Sequence, residues 1–132
     1  MTESSKALVA YRLQRARESL EDARILADAK RWNPSVNRLY YACFYAVSAL
    51  LAQQDLTSSR HVGVRSLFNQ HFVNTGKVAR DEVRIYNDLF ERRQEGDYVD
   101  FVRFDESQVR AWMPRAEAFV GRIAELLSGE QQ

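Results

Sequence analysis

Between Leu39 and Ala52 the chain runs for fourteen residues with a single polar interruption, Ser48. The run falls short of the ~20 apolar residues that a membrane-spanning helix needs. Wound as a helix, it is apolar around nearly its whole circumference. A helix lying on a surface shows one apolar stripe, whereas one that is apolar all round is enclosed by neighbours. The segment therefore calls for a bundle in which this helix is central, or in which one of its faces is given to a partner chain.

The remainder of the 132 residues supplies the walls. Five glycines and two prolines are too few for a sandwich of many tight turns or a proline-rich linker. The length suits one domain, residues 1–132, with a core over about 5–128 and a polar tail from Ser128. Val9, Leu13, Ala16, Leu20, Ala23 and Ala27 recur at helical spacing, predicting a long helix over Ser5 to Lys30 with a charged outer face. Asn33 suits an N-cap and Pro34 a first helical position, so the central helix is expected to start there and run to about Gln53. Asp55 to Ser59 breaks the pattern. A third helix over Ser59 to Phe72 turns Val64, Leu67, Phe68 and Phe72 inward and stops at Asn74-Thr75-Gly76. A fourth starts near Lys77, carries Val83, Tyr86, Leu89 and Phe90 on its core face, and is expected to end or distort at Gly96. Tyr98 to Asp105 reads as a loop that packs its aromatics on the bundle. Asp105 caps a last helix whose stripe runs from Val109 through Trp112 and Met113, Ala116, Val120 and Ile123 to Leu127, with a kink expected at Pro114. The fold class is all-α, an up-and-down bundle of four or five helices.

Nineteen Lys and Arg against eighteen Asp and Glu leave a net charge of +1, so no global field draws the chain to a polyanion or an anionic membrane. Any such site has to be local. Sixteen of the nineteen basic residues are arginine, the side chain suited to bidentate phosphate contacts and to stacking on rings. A GC-rich genome produces the same bias. Glycine-rich phosphate loops, HExxH and GxSxG are all missing, and two histidines with one cysteine cannot assemble a zinc cluster. Nothing asks for a cofactor or a metal. The lone Cys43 sits among apolar neighbours and should be inert, and the absence of a secretory signal makes a bacterial-type cytoplasm the default.

The departure from pattern lies on the fourth helix. The core stripe Val83, Tyr86, Phe90 continues at the next helical position into Arg93, and one turn later into Asp97. A guanidinium on a bundle seam is costly unless it is paired or faces a cleft. Either Arg93 pairs with Asp97 one turn away, or both have already reached solvent where the bundle ends, or Arg92 and Arg93 line a polar cleft there as phosphate or carboxylate clamps with the Tyr98 hydroxyl beside them. The second cluster is Asn37-Arg38-Leu39-Tyr40-Tyr41, with Tyr45 one turn beyond Tyr41. Tyrosines at this spacing are usually core residues with a wet hydroxyl. Asn37 and Arg38 at the head of a buried helix are harder to dismiss. His61 and His71 fall on the short third helix, where a lone histidine is usually structural or exposed.

Ser35-Val36-Asn37-Arg38-Leu39-Tyr40-Tyr41-Ala42-Cys43-Phe44-Tyr45-Ala46, then His61-Val62-Gly63 with His71-Phe72-Val73, then Arg92-Arg93-Gln94-Glu95-Gly96-Asp97-Tyr98, together resemble the HEPN superfamily and its small stand-alone bacterial and archaeal members. The resemblance covers about Leu8 to Leu127. It implies a helical bundle, commonly a homodimer that brings two late arginine motifs to a shared cleft. Many HEPN proteins resemble metal-independent ribonucleases in which an arginine and a histidine four to six residues later act on the RNA phosphodiester. Others are paired, as toxin and antitoxin, with a small nucleotidyltransferase that can modify a tyrosine near that motif.

Five places after Arg92 this chain carries Asp97, and no histidine follows His71, so the usual proton-transfer partner is missing from the motif. His61 could replace it only from another helix. Three readings follow from the residues. In the first, a homodimer partnered by a nucleotidyltransferase binds nucleotide or RNA through Asn37, Arg38, Tyr41, Arg92, Arg93, Asp97 and Tyr98, with Tyr98 open to modification. In the second, an endoribonuclease toxin uses Arg92 or Arg93 on the phosphate and Asp97 or His61 for protons. In the third, the chain is a non-catalytic helical adaptor.

Overall fold

The computed structural model describes residues 2–98 and 102–129, with the side chains of 94–98 outside that description. Five α-helices follow one another: α1 Glu3–Asp28, α2 Trp32–Gln53, α3 His61–Phe68, α4 Arg80–Tyr98 and α5 Glu106–Gly129. Among the described residues there is no strand. The all-α bundle expected from the sequence is what forms.

Cross-links between helices give the directions. Arg12 of α1 donates to the carbonyl of Ser48 on α2, and Ser35 Oγ of α2 donates to the carbonyl of Ala23 at 2.8 Å, so α1 and α2 run antiparallel. Arg115 and Arg122 of α5 pair with Asp88 and Glu82 of α4, which makes that pair antiparallel too. Gln53 at the end of α2 donates to the carbonyl of Leu127 near the end of α5. The four long helices thus alternate up and down around α2, whose Leu39, Tyr40, Ala42, Cys43 and Ala46 through Leu50 are all buried. Burial pushes the Cys43 thiol well above its ordinary range, in keeping with an inert core cysteine.

The helix ends depart from the expected boundaries for identifiable reasons. Asn33 does not cap α2, which begins two residues earlier than expected, at Trp32 with Arg31 in the capping position. Its amide instead donates to the carbonyl of Val102 and accepts from the Phe104 N–H at 2.8 Å, pinning the loop before α5 and helping to seat Phe104 in the core. Helices α1 and α2 both stop in a Schellman arrangement. Arg31 N–H reaches the carbonyl of Leu26 and Leu56 N–H that of Leu51, while Lys30 and Asp55 sit in the left-handed region at φ 61° and 56°.

The third helix is not one piece to Phe72. It ends at Phe68 and continues as a π-helical turn, Asn69–Val73, in which the Asn74 N–H bonds the carbonyl of Asn69. The wider turn lets the consecutive Phe72 and Val73 both face inward. Gly76, at φ 80°, then turns the chain, and α4 begins at Arg80 rather than near Lys77. Gly96 does not end α4, which runs through it to Tyr98. Asp105 does cap α5: its Oδ1 accepts the Gln108 N–H while Gln108 Oε1 accepts the Asp105 N–H, a reciprocal box. Helix α5 runs as one element through Pro114. No helix of the described residues is long and apolar enough to cross a membrane.

Candidate functional site

Helix α2 presents Asn37, Tyr40, Tyr41 and Phe44 one turn apart on one side, and α4 brings Phe90 and Arg93, also one turn apart, against them. Tyr40 is the hub and is fully buried. Its ring contacts Tyr41, Phe44, Tyr86 and Phe90 at centroid distances of 5.2, 6.0, 6.3 and 6.0 Å. Arg93, only 9% exposed, lies with its guanidinium carbon 4.8 Å from the Tyr40 ring centroid and 5.8 Å from that of Tyr41. Arg92 beside it is exposed, so the arginine on the seam is Arg93. Near the head of α2, Arg38 also lies over the Tyr41 ring, 4.8 Å from its centroid, and its Nε and a terminal nitrogen both donate to Asn37 Oδ1. Asp97 and Tyr98 belong to the last turn of α4, but their side chains fall outside the described residues.

The structure adds His61, the first residue of α3. Its Nδ1 lies 2.8 Å from Tyr40 Oη in a hydrogen bond, and its ring stacks on Phe44 at 4.3 Å and 19°. The α2 to α3 loop sets this placement. The backbone at Gly63 runs so close to the Ser58 side chain that a Cβ there would meet Ser58 Cβ at 3.0 Å and Oγ closer still. Arg65, one turn after His61, covers Phe90 at 4.0 Å and donates to Asn87. His71, on the π-helical turn, is half-buried and has no part in the Tyr40 contacts.

The electrostatics follow from this packing. Burial, and then the positive charge of Arg93, hold His61 below its ordinary value. Burial raises the Tyr40 phenol far above its usual range, with Arg93 and Arg65 opposing that shift. At neutral pH the site therefore holds a neutral imidazole bonded to a neutral phenol, beside guanidinium groups. Such an arrangement can meet an anion with hydrogen-bonding oxygens: charge from arginine, a ring nitrogen of the half-buried His61 held in place by Tyr40, and the half-buried rings of Tyr41 and Phe44 for an attached planar group. Among the described residues no three His, Cys, Asp or Glu side chains group so as to hold a metal ion. A larger hollow, about 690 Å³ between α1, α2 and α5 and lined by Val9, Leu13, Gln53 and Leu127, sits at the far end of α2, roughly 20 Å along the helix from Tyr40.

Of the residues singled out in the sequence, the structure brings Arg93, Arg38, Asn37 and Tyr41 together around Tyr40. Sequence reasoning missed Tyr40 as the centre, because a tyrosine in an apolar helix looks like any core ring. A family model described as the HEPN domain matches residues 9–126. The chain belongs to the HEPN family. A UPF0332 protein of Thermotoga maritima is 45% identical over 127 residues, 96% of each chain. Two proteins of Methanocaldococcus jannaschii, both named as candidate toxins, are also similar. One is 34% identical over 112 residues, 85% of this chain and 83% of its own. The other is 24% identical over 115 residues, 87% and 78%.

Proposed function

We propose that this HEPN protein is toxin-like and acts as a homodimer that binds the phosphate of RNA or of a nucleotide through Arg93 and Arg38, with a nucleotidyltransferase as its partner protein. The observation that carries the reading is the burial of Arg93 against the Tyr40 and Tyr41 rings in a bundle. Desolvating a guanidinium costs several kcal/mol, and ring contacts of this kind return about 0.5–2 kcal/mol each. An apolar side chain would serve packing alone at least as well. Stripped of most of its water there, the guanidinium contacts a phosphate more strongly than an exposed arginine would. Arg38, which shares the Tyr41 ring with Arg93, fits a second contact to the same anion or to the next phosphate along a strand.

Homodimer formation is supported by α2, where Tyr41, Phe44 and Tyr45 stay half-buried in the single chain. The names of the Methanocaldococcus relatives support a toxin-like role; Tyr98, close after the late arginines in the sequence, is our candidate for modification by a partner transferase. Expression should arrest growth and Arg93→Ala should relieve the arrest; light scattering at micromolar concentration should give a dimer. Incubating the protein and a captured transferase with ATP should add a nucleotide mass to the peptide containing Tyr98. A monomer that causes no arrest, binds no RNA and is unaffected by Arg93→Ala would leave only a helical adaptor.

A second reading, an endoribonuclease, is favoured by the position of His61 beside Arg93. A 2′-hydroxyl attacking phosphorus gives up its proton to a base near neutral pKa, and the 5′-oxygen leaves with a proton from water, giving a 2′,3′-cyclic phosphate and a 5′-hydroxyl. His61, or Asp97 from the end of α4, is the candidate base, with Arg93 on the phosphorane. Cyclic phosphate termini after incubation of RNA with wild-type protein, absent with Arg93→Ala, are the expected products.

A further inference from the structure

We infer that His61 is a proton-coupled ligand of the Arg93 site: its imidazole is protonated when a phosphate ester docks against Arg93 and the His61 ring edge, so anion binding and His61 protonation reinforce each other. The inference rests on reading the cluster as a phosphate site, and it assigns that site a residue from a third helix and a dependence on pH.

The geometry carries it. Three ring contacts and one hydrogen bond fix the imidazole. It stacks on Phe44 at 4.3 Å and on Tyr40 at 5.7 Å, the Tyr41 ring meets it edge-on at 5.7 Å, and Nδ1 is bonded to Tyr40 Oη at 2.8 Å. In the imidazolium both ring nitrogens carry protons, so with Nδ1 engaged by Tyr40 the Nε2–H is the donor left to meet an incoming oxygen. His61 is half-buried, close enough to solvent for a ligand to reach. Among the described residues, the titratable and charged groups that face it are Tyr40 and Tyr41 from α2 and Arg93 from α4. On its own helix Arg65 is drawn over Phe90, 4.0 Å from that ring. Among the described residues the charge that acts on His61 is that of Arg93, and it acts together with burial to keep the imidazole neutral in the free protein.

A phosphate changes the balance. Its negative charge offsets the repulsion from Arg93 and itself favours an imidazolium, so both effects raise the affinity of His61 for a proton. The Tyr40 bond survives the change, because an imidazolium donates Nδ1–H to Tyr40 Oη. By reciprocity, whatever a phosphate does to proton affinity a proton does to phosphate affinity. If the bound imidazole binds its proton about one pH unit more tightly than the free one, lowering the pH through the histidine range strengthens binding about tenfold.

The test measures binding of a fluorophore-labelled 2′-O-methyl oligoribonucleotide, which has phosphodiesters but no nucleophilic hydroxyl, at fixed salt between about pH 8 and pH 5.5. Wild-type protein should bind about tenfold more tightly at the acid end. Calorimetry in two buffers of different ionisation enthalpy should show proton uptake on binding, a readout that needs no variant. His61→Gln, checked for folding by its thermal melt, should bind with flat pH dependence and no uptake, while His71→Gln keeps the wild-type slope. A parallel titration with ATP identifies the source of the phosphate: if only ATP binds, with the same proton uptake, the ligand is a nucleotide and not RNA. Binding by wild type that is independent of pH and takes up no proton overturns the inference and leaves the phosphate site standing. A slope lost in His71→Gln instead of His61→Gln overturns it as well. Binding of neither ligand at any pH overturns both.

Discussion

Replacing Tyr40 with phenylalanine isolates the bond on which the site is assembled. The ring would keep its contacts to Tyr41, Phe44, Tyr86 and Phe90, and Arg93 would still lie over an aromatic face. What disappears is the 2.8 Å hydrogen bond to His61. A neutral bond is worth a net 0.5–1.5 kcal/mol, roughly, and a deserted buried partner adds to the loss. Because His61 is half-buried, water can take over Nδ1, which places the cost near 1 kcal/mol. For a chain of 132 residues that corresponds to a fall in Tm of about 2–6 °C. Tyr40→Ala, which also empties the centre of the aromatic cluster, should cost about 3–5 kcal/mol. The assay is a pair of thermal or urea melts at neutral pH, with the His61 ring followed by NMR. An unchanged Tm for Tyr40→Phe would mean that the bond does not form in solution. A loss as large as that of the alanine variant would mean that the hydroxyl holds together much more than His61.

Other perturbations have equally definite outcomes. Asn33→Ala removes both bonds to residues 102–104 and should destabilise by about 1–3 kcal/mol in a urea melt, with faster hydrogen exchange at Phe104. Tyr86→Phe should leave stability unchanged or raise it by up to about 1 kcal/mol, because among the described residues the buried Tyr86 hydroxyl has no hydrogen-bond partner. Asp55→Gly relieves a left-handed backbone at the end of α2 and should stabilise by about 0.5–1 kcal/mol, judged by the urea midpoint. The folded protein holds His61 below its ordinary value near 6.5, so the unfolded chain binds that proton more readily. The contribution of His61 is therefore fully present above that pH and is lost as the pH falls through the folded value. Melts of wild type and His61→Gln should diverge at neutral pH and converge on acidification.

The sequence reported the bundle through the fourteen-residue run of α2 and the four-and-three spacing of α1 and α5, because burial of a stripe is a local pattern. It reported Arg93 as well, since a charge breaking an apolar stripe is also local. The ends of α1 and α2 were not visible in this way: the left-handed stop residues are Lys30 and Asp55 rather than glycine, so nothing in their identity announces the Schellman bonds. Asn33 looked like a cap because caps are local, whereas its actual partners lie about seventy residues away. His61 and Tyr40 are twenty-one residues apart on different helices. Their meeting depends on the loop that packs Gly63 against Ser58, a contact of shape that periodicity does not encode.

The central claim, that Arg93 is kept inside the bundle to hold a phosphate, meets its most direct test in the salt dependence of oligonucleotide binding by wild type and Arg93→Met. Methionine fills similar space without the charge, so its fold should be retained. Each phosphate neutralised on a single strand contributes about 0.7 to the slope of log affinity against log salt. The account predicts that Arg93→Met loses about that much slope from each site and binds at least about fivefold more weakly, in the range of 1–3 kcal/mol. Equal affinity and equal slope in the two proteins would contradict it.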